Sequence, residues 1–164
     1  MSRLNRQASH ALDEASAVVA DQLVAAQFRR QPQLALRYGP QGRGKCLQDA
    51  RYHLSYLTQA IAADAPELFS EYVHWSRSML DSRGIAADDL AEHLRAMGDI
   101  LRRNLAPEFH QLAGRYLDDG LAALARDAEH PASFIADGAP LAELAHDYLA
   151  SLLRGDRHGA SRRV

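Results

Sequence analysis

A single cysteine, Cys46, is all that this 164-residue chain contains, so no internal disulfide can form and secretion is not implied. Long apolar runs are missing as well. Nothing approaches the roughly 18 residues needed to cross a bilayer. The opening "MSRLNRQASHALDEAS" lacks the apolar centre of a signal peptide. Excess positive charge is absent: 19 Lys and Arg stand against 21 Asp and Glu, a formal net charge of −2. A nucleic-acid binder would normally show a basic face. The chain has no GxSxG, P-loop or GxGxxG, which leaves hydrolase, NTPase and Rossmann readings without support. Its eight histidines fall in no HExxH and pair with no CxxC, which argues against a structural zinc site. A soluble cytoplasmic protein is expected, with neither nucleic acid nor membrane as partner.

What remains is rich in alanine and leucine. Apolar residues make up 47% of the chain, enough for a real core. Their spacing is helical almost throughout, and no strand pattern or repeat interrupts it. Leu12, Ala15, Val19, Leu23 and Ala26 recur every three or four residues and predict a first helix over about 3–29. "RYGPQGRGK" (37–45) is a Gly/Pro loop expected to break it. A second helix opens there, with Leu47, Ala50, Leu54, Leu57 and Ile61 on one face. "ADAP" (63–66) predicts a turn, with Asp64 as N-cap and Pro66 in the first turn of a third helix over about 66–82. Gly84 stops it. A fourth helix ends near "NLAP", a fifth covers about 107–127 and a sixth begins near Pro140. The polar end "GDRHGASRRV" is expected to fray. Long helices, short connections and no heptad regularity suggest an all-α, globin-like pack of about six helices. The expected division is a domain over 1–127, then a linker and an amphipathic helix over 128–164.

The stretch "GKCLQDARYHL" (44–54) places Cys46, Asp49 and His53 at i, i+3 and i+7, one stripe of a helix. The neighbouring stripe of Leu47, Ala50, Leu54 and Leu57 should enter the core, leaving the polar stripe at the core's edge. Near a helix N-terminus, with Arg43 and Lys45 close by, a thiol's pKa falls and its nucleophilicity rises. A lone cysteine is also a common inert core residue, and spacing alone favours that reading. A Cys–His dyad needs side-chain contact, whereas i to i+7 spans nearly two turns, so nucleophilic enzyme chemistry is not expected. His53, His74 or His110 offers a haem ligand in a globin-like fold.

The longer stretch "KCLQDARYHLSYLTQAIAADAPELFSEY" (45–72) resembles the chromophore segment of phycobiliprotein subunits, with its K-C-x-R-D-x-x-Y-Y-L and a later E-Y. Lys45, Cys46, Asp49, Tyr52, Leu54, Glu71 and Tyr72 match it. "RQPQLALRYGPQGRGKC" upstream and "LAGRYLDDGLAALA" (112–125) downstream are similar to the same family, so the likeness covers roughly residues 5–125. Gln48 stands where the family commonly has an arginine, His53 stands at its second tyrosine, and the family's N-terminal helical extension is not expected here. "PLAELAHDYLASLLRGDRHGA" (140–160) resembles the first cap helix of cobalamin-binding light sensors such as the photocobilins, although their DxHxxG-type ligand motif is absent.

The resemblance implies a non-enzymatic, bilin-binding photosensory domain. Biliverdin is the first candidate chromophore and phycocyanobilin the second. Cys46 would form a thioether, Asp49 would accept hydrogen bonds from the pyrrole N–H groups, and Arg43, Lys45 and Arg51 would pair with propionates. Tyr52, Tyr72, Trp75 and Met79 would wall the π-system, beside His53. A haem-binding globin-like sensor and a ligand-free helical interaction module are the alternatives. A homodimer, or a cobalamin-binding domain in a longer parent, is the implied partner.

Overall fold

The structure is a computed structural model that describes residues 2–34, 36, 39–81, 84–126, 135 and 138–162. Seven helices run through these residues: α1 (Arg3–Arg30), α2 (Gly42–Ala63), α3 (Pro66–Asp81), α4 (Ala87–Asn104), α5 (Pro107–Leu124), α6 (Ala142–Leu153) and α7 (Arg157–Ser161). No strand occurs among them. The expected division at 127/128 falls outside the described residues.

Helices α1 to α5 share one core. Helix α1 lies along α2 and touches α4 and α5, while α3 packs mainly on α5. The apolar spacing read from the sequence selects the buried faces. Leu12, Val19 and Leu23 of α1 meet Leu54, Leu57 and Ile61 of α2, with Leu94, Met97 and Leu101 of α4 in the same cluster. Burial of each such side chain is worth about 1.5–3 kcal/mol relative to exposure. Helix α3 approaches α5 closely because position 120 is glycine. A Cβ there would sit 2.9 Å from Cε1 of Phe69 and 3.2 Å from Cγ2 of Val73.

The ends of the helices explain several departures from expectation. The α2 helix starts at Gly42, inside the stretch expected to be loop; Arg37 and Tyr38 lie outside the described residues. Asp64 does not cap α3. It closes α2 in the left-handed conformation (φ 59°), with its N–H bonded to the carbonyls of Ala60 and Ile61. Its side chain accepts at 2.9 Å from Nδ2 of buried Asn5, which also donates to the Ile61 carbonyl at 3.0 Å. The start of α1 is thereby tied to the end of α2. Gly84 adopts φ +70° and follows α3 as expected, the Gly84 N–H reaching the Asp81 carbonyl at 2.9 Å. The segment expected to fray instead forms α7, capped by Asp156, whose Oδ1 accepts from the Gly159 N–H at 2.8 Å. Helices α6 and α7 pack on each other, and α6 leaves Leu144, Leu149, Leu152 and Leu153 exposed. No helix among the described residues is long and apolar enough to cross a membrane.

Candidate functional site

The expected Cys46–Asp49–His53 stripe divides into three environments. At about 100° per residue, His53 lies roughly 40° from Leu57 and Asp49 roughly 80° from it. His53 is accordingly buried, Asp49 exposed, and Cys46 half-buried against the core. Cys46 sits one full turn into α2, beyond the free N–H groups of the helix start. The expected thiol activation is therefore reversed: burial pushes the Cys46 pKa up, and the carboxylate of Asp49 adds to the rise.

Tyr72 of α3 is the centre of an aromatic group. It is 8% exposed. The Tyr56 ring stacks on it at 3.7 Å between centroids and 11° between planes. Trp75 lies 6.1 Å away on the same helix. Trp75 and Tyr56 are 58% and 45% exposed, which leaves a broad π-surface open to solvent. Tyr52 is likewise exposed, and its hydroxyl accepts from Nε2 of Gln48 at 3.2 Å. Burial raises the Tyr72 pKa to about 12, and the nearby Asp49 charge contributes to the rise. Cys46, Asp49, Tyr56, Tyr72 and Trp75 thus belong to one face built by α2 and α3.

His53 lies behind this face. Its Nδ1 is 2.9 Å from Tyr72 Oη, and its ring contacts His93 of α4 at 5.0 Å between centroids. Burial and the neighbouring imidazole push the His53 pKa down to about 3, and burial pushes that of His93 down to about 4. Both rings are neutral at physiological pH. Enclosed between Tyr72 and His93, His53 is not placed as an axial haem ligand. His74 and His110 stand apart from this cluster, half-buried on α3 and α5.

The basic residues are less concentrated than the sequence suggests. Arg43 is exposed and carries its guanidinium over the Phe28 ring, 5.7 Å from the centroid. Lys45 and Arg51 are exposed and Met79 is half-buried. Glu71 pairs with Arg126 at 3.9 Å, both exposed, and Arg77 donates from Nη1 to the carbonyls of Leu124 and Arg126, closing the end of α5.

Two site residues were missed in the sequence although their signal is there. Tyr56 follows Asp49 and Tyr52 at seven and four residues, on the same helical stripe. His93 falls three after Leu90 and four before Met97, within the buried face of α4.

Residues 2–124 match the family described as "Phycobilisome protein". The chain belongs to that family. It is also similar to "Allophycocyanin alpha chain 2" of Microchaete diplosiphon, with 31% identity over 113 residues, 66% of this chain and 70% of the relative. Phycobilisome proteins of this type are bilin-carrying chromophore proteins and not enzymes, in keeping with the motif at residues 45–72. The family match ends before α6, so the likeness of residues 140–160 to cobalamin sensors rests on that segment alone.

Proposed function

We propose that the α2/α3 face binds a bilin and that the chain serves as a photosensory chromophore domain. The observation that carries this reading is the open π-surface of Tyr56 and Trp75, backed by the buried Tyr72 and built on the same two helices as the Cys46 thiol and the exposed Asp49 carboxylate. A linear tetrapyrrole is flat, apolar on its faces, cationic when protonated and anionic at its propionates. The aromatic rings would take the π-faces. Asp49 would accept from the inner pyrrole N–H groups, a charge-assisted contact that is short and directional. Holding the chromophore extended narrows its absorption and shifts it to the red. Arg43, Lys45 and Arg51 would meet the propionates, and Gln48 with Tyr52 offers a neutral polar contact where the family commonly has arginine.

Cys46 supplies the attachment point. Its thiol would add across an exocyclic vinyl or ethylidene group. The S–C bond forms, the π-bond breaks, and the thiol proton ends on the adjacent carbon, with no net oxidation. Biliverdin is the chromophore we favour, with phycocyanobilin as the alternative.

Reconstitution tests the reading. The purified chain is mixed separately with biliverdin, phycocyanobilin and haemin, and absorbance is recorded. A narrowed, red-shifted bilin band supports it. Free-bilin spectra with both bilins refute it, and a Soret band with haemin alone supports the globin-like haem alternative.

A further inference from the structure

The rings of Tyr56 and Tyr72 lie face to face, with 3.7 Å between centroids and 11° between planes. That is the spacing of two stacked planes, so the Tyr56 ring fills the outer face of Tyr72. The two rings are held very differently. Tyr72 is 8% exposed, its hydroxyl lies 2.9 Å from Nδ1 of His53, and its ring packs near Phe69 at 6.2 Å between centroids. Tyr56 is 45% exposed, and its hydroxyl makes no hydrogen bond among the described residues. One ring is anchored in the core, and the other is held by the stack.

The stack is also of the less favoured kind. Both rings carry negative π-faces, so aromatic pairs prefer offset or edge-to-face arrangements over a direct sandwich. An electron-poor or cationic π-system is a better partner for the Tyr72 face than a second phenol. A ligand laid on the outside of Tyr56 would be separated from Tyr72 by a whole ring. In the place of Tyr56 it gains the anchored Tyr72 face, with Trp75 of the same helix 6.1 Å from Tyr72. Asp49 is close enough for its charge to act on the Tyr72 hydroxyl, so a cation in that seat also lies near a carboxylate.

We propose that Tyr56 is a gate: in the free chain its ring fills a ligand seat on Tyr72, and a planar, electron-poor ligand takes that seat while Tyr56 turns out toward solvent. The exposed faces of Tyr56 and Trp75 meet the ligand first, and the exchange of rings follows. The gate rests on the bilin reading above and adds to it which ring yields and which one stays. Tyr56 thereby sets how tightly the face binds, because every ligand must first break the tyrosine stack.

Titration of the full chain with biliverdin, followed by absorbance, tests it in wild type, Tyr56→Phe and Tyr56→Ala. Tyr56→Ala should bind roughly 2–10-fold more tightly, the factor that corresponds to one aromatic pair. Tyr56→Phe, which keeps the ring, should bind like the wild type. NMR of the wild type with ¹³C-labelled tyrosine reads the exchange without a variant. The Tyr56 ring protons should start upfield, within the ring current of Tyr72, and move downfield as biliverdin is added. Equal or weaker binding by Tyr56→Ala, or Tyr56 protons that stay in place or move further upfield, makes Tyr56 a fixed wall and overturns the gate alone. No biliverdin binding by any of the three proteins overturns the bilin reading together with the gate.

Discussion

The hydroxyl of Tyr72, on α3, lies 2.9 Å from Nδ1 of His53, on α2, and both groups are buried. Burial keeps His53 neutral and Tyr72 protonated, so the contact is a bond between uncharged partners. It fixes the aromatic ring whose outer face Tyr56 covers.

Breaking this bond leaves a buried imidazole nitrogen unpaired. Tyr72→Phe should therefore cost about 1–3 kcal/mol. For a chain of this size each kcal/mol lowers Tm by about 2–4 °C. Scanning calorimetry of the variant checks it; a Tm equal to that of the wild type would show that the bond contributes nothing.

Acid should destabilise the fold before most carboxylates titrate. His53 and His93 have folded pKa values of about 3 and about 4, against an ordinary 6.5. Between these limits the unfolded chain binds more protons than the folded one. Stability therefore rises with pH and is lost as pH falls below about 6.5, by up to about 1.4 kcal/mol per pH unit for each proton. Denaturant midpoints from pH 7 to 5 should fall, and should fall less steeply in His93→Phe. A flat profile in the wild type would contradict the buried neutral pair.

Two glycines of α5 should respond in opposite directions to alanine. Gly120→Ala drives a methyl group into Phe69 and Val73 and should cost about 1–3 kcal/mol. Gly114→Ala meets nothing within 4 Å and should gain about 0.5–1 kcal/mol from helix propensity. Chemical denaturation of both variants reads the difference, and equal effects would count against the close α3/α5 approach.

Cys46 should react slowly. Burial and Asp49 hold its thiol protonated, so iodoacetamide at neutral pH should modify it more slowly than a free thiol, and Asp49→Asn should speed the reaction. Mass spectrometry over time settles the rates; a fast wild-type reaction unchanged by Asp49→Asn would contradict the assigned environment.

Helix α6 exposes Leu144, Leu149, Leu152 and Leu153. Covering each is worth up to about 1.5–3 kcal/mol, and we expect a second copy of the chain to cover them. Light scattering of the intact chain should give a dimer, and removal of residues 136–164 a monomer. The same mass for both chains would make the segment a tether.

The fold was legible because five helices each carry one apolar stripe, and the stripes that contain Leu12, Leu54, Phe69, Leu94 and Leu117 are the buried ones. Helix ends were less so. Asp64 has the chemistry of an N-cap, yet its bond to Asn5, 59 positions away in sequence, fixes it as the close of α2. The Cys46–Asp49 motif was readable from spacing, but the thiol's surroundings were not. Its environment depends on the full turn of helix that precedes it and on the core against which it packs. His93 was overlooked because a lone histidine on an apolar face gains meaning only when another helix brings His53 against it.

A bilin held by Asp49 and the aromatic face of α2 and α3 would report its surroundings through its own absorption. Wild type and Asp49→Ala are co-expressed with haem oxygenase, purified together with their pigment, and compared by absorbance. The wild type should show a narrow far-red band and Asp49→Ala a broader, blue-shifted one, because the carboxylate that meets the pyrrole N–H groups is gone. A colourless wild type, or identical bands from both proteins, would contradict bilin binding through Asp49.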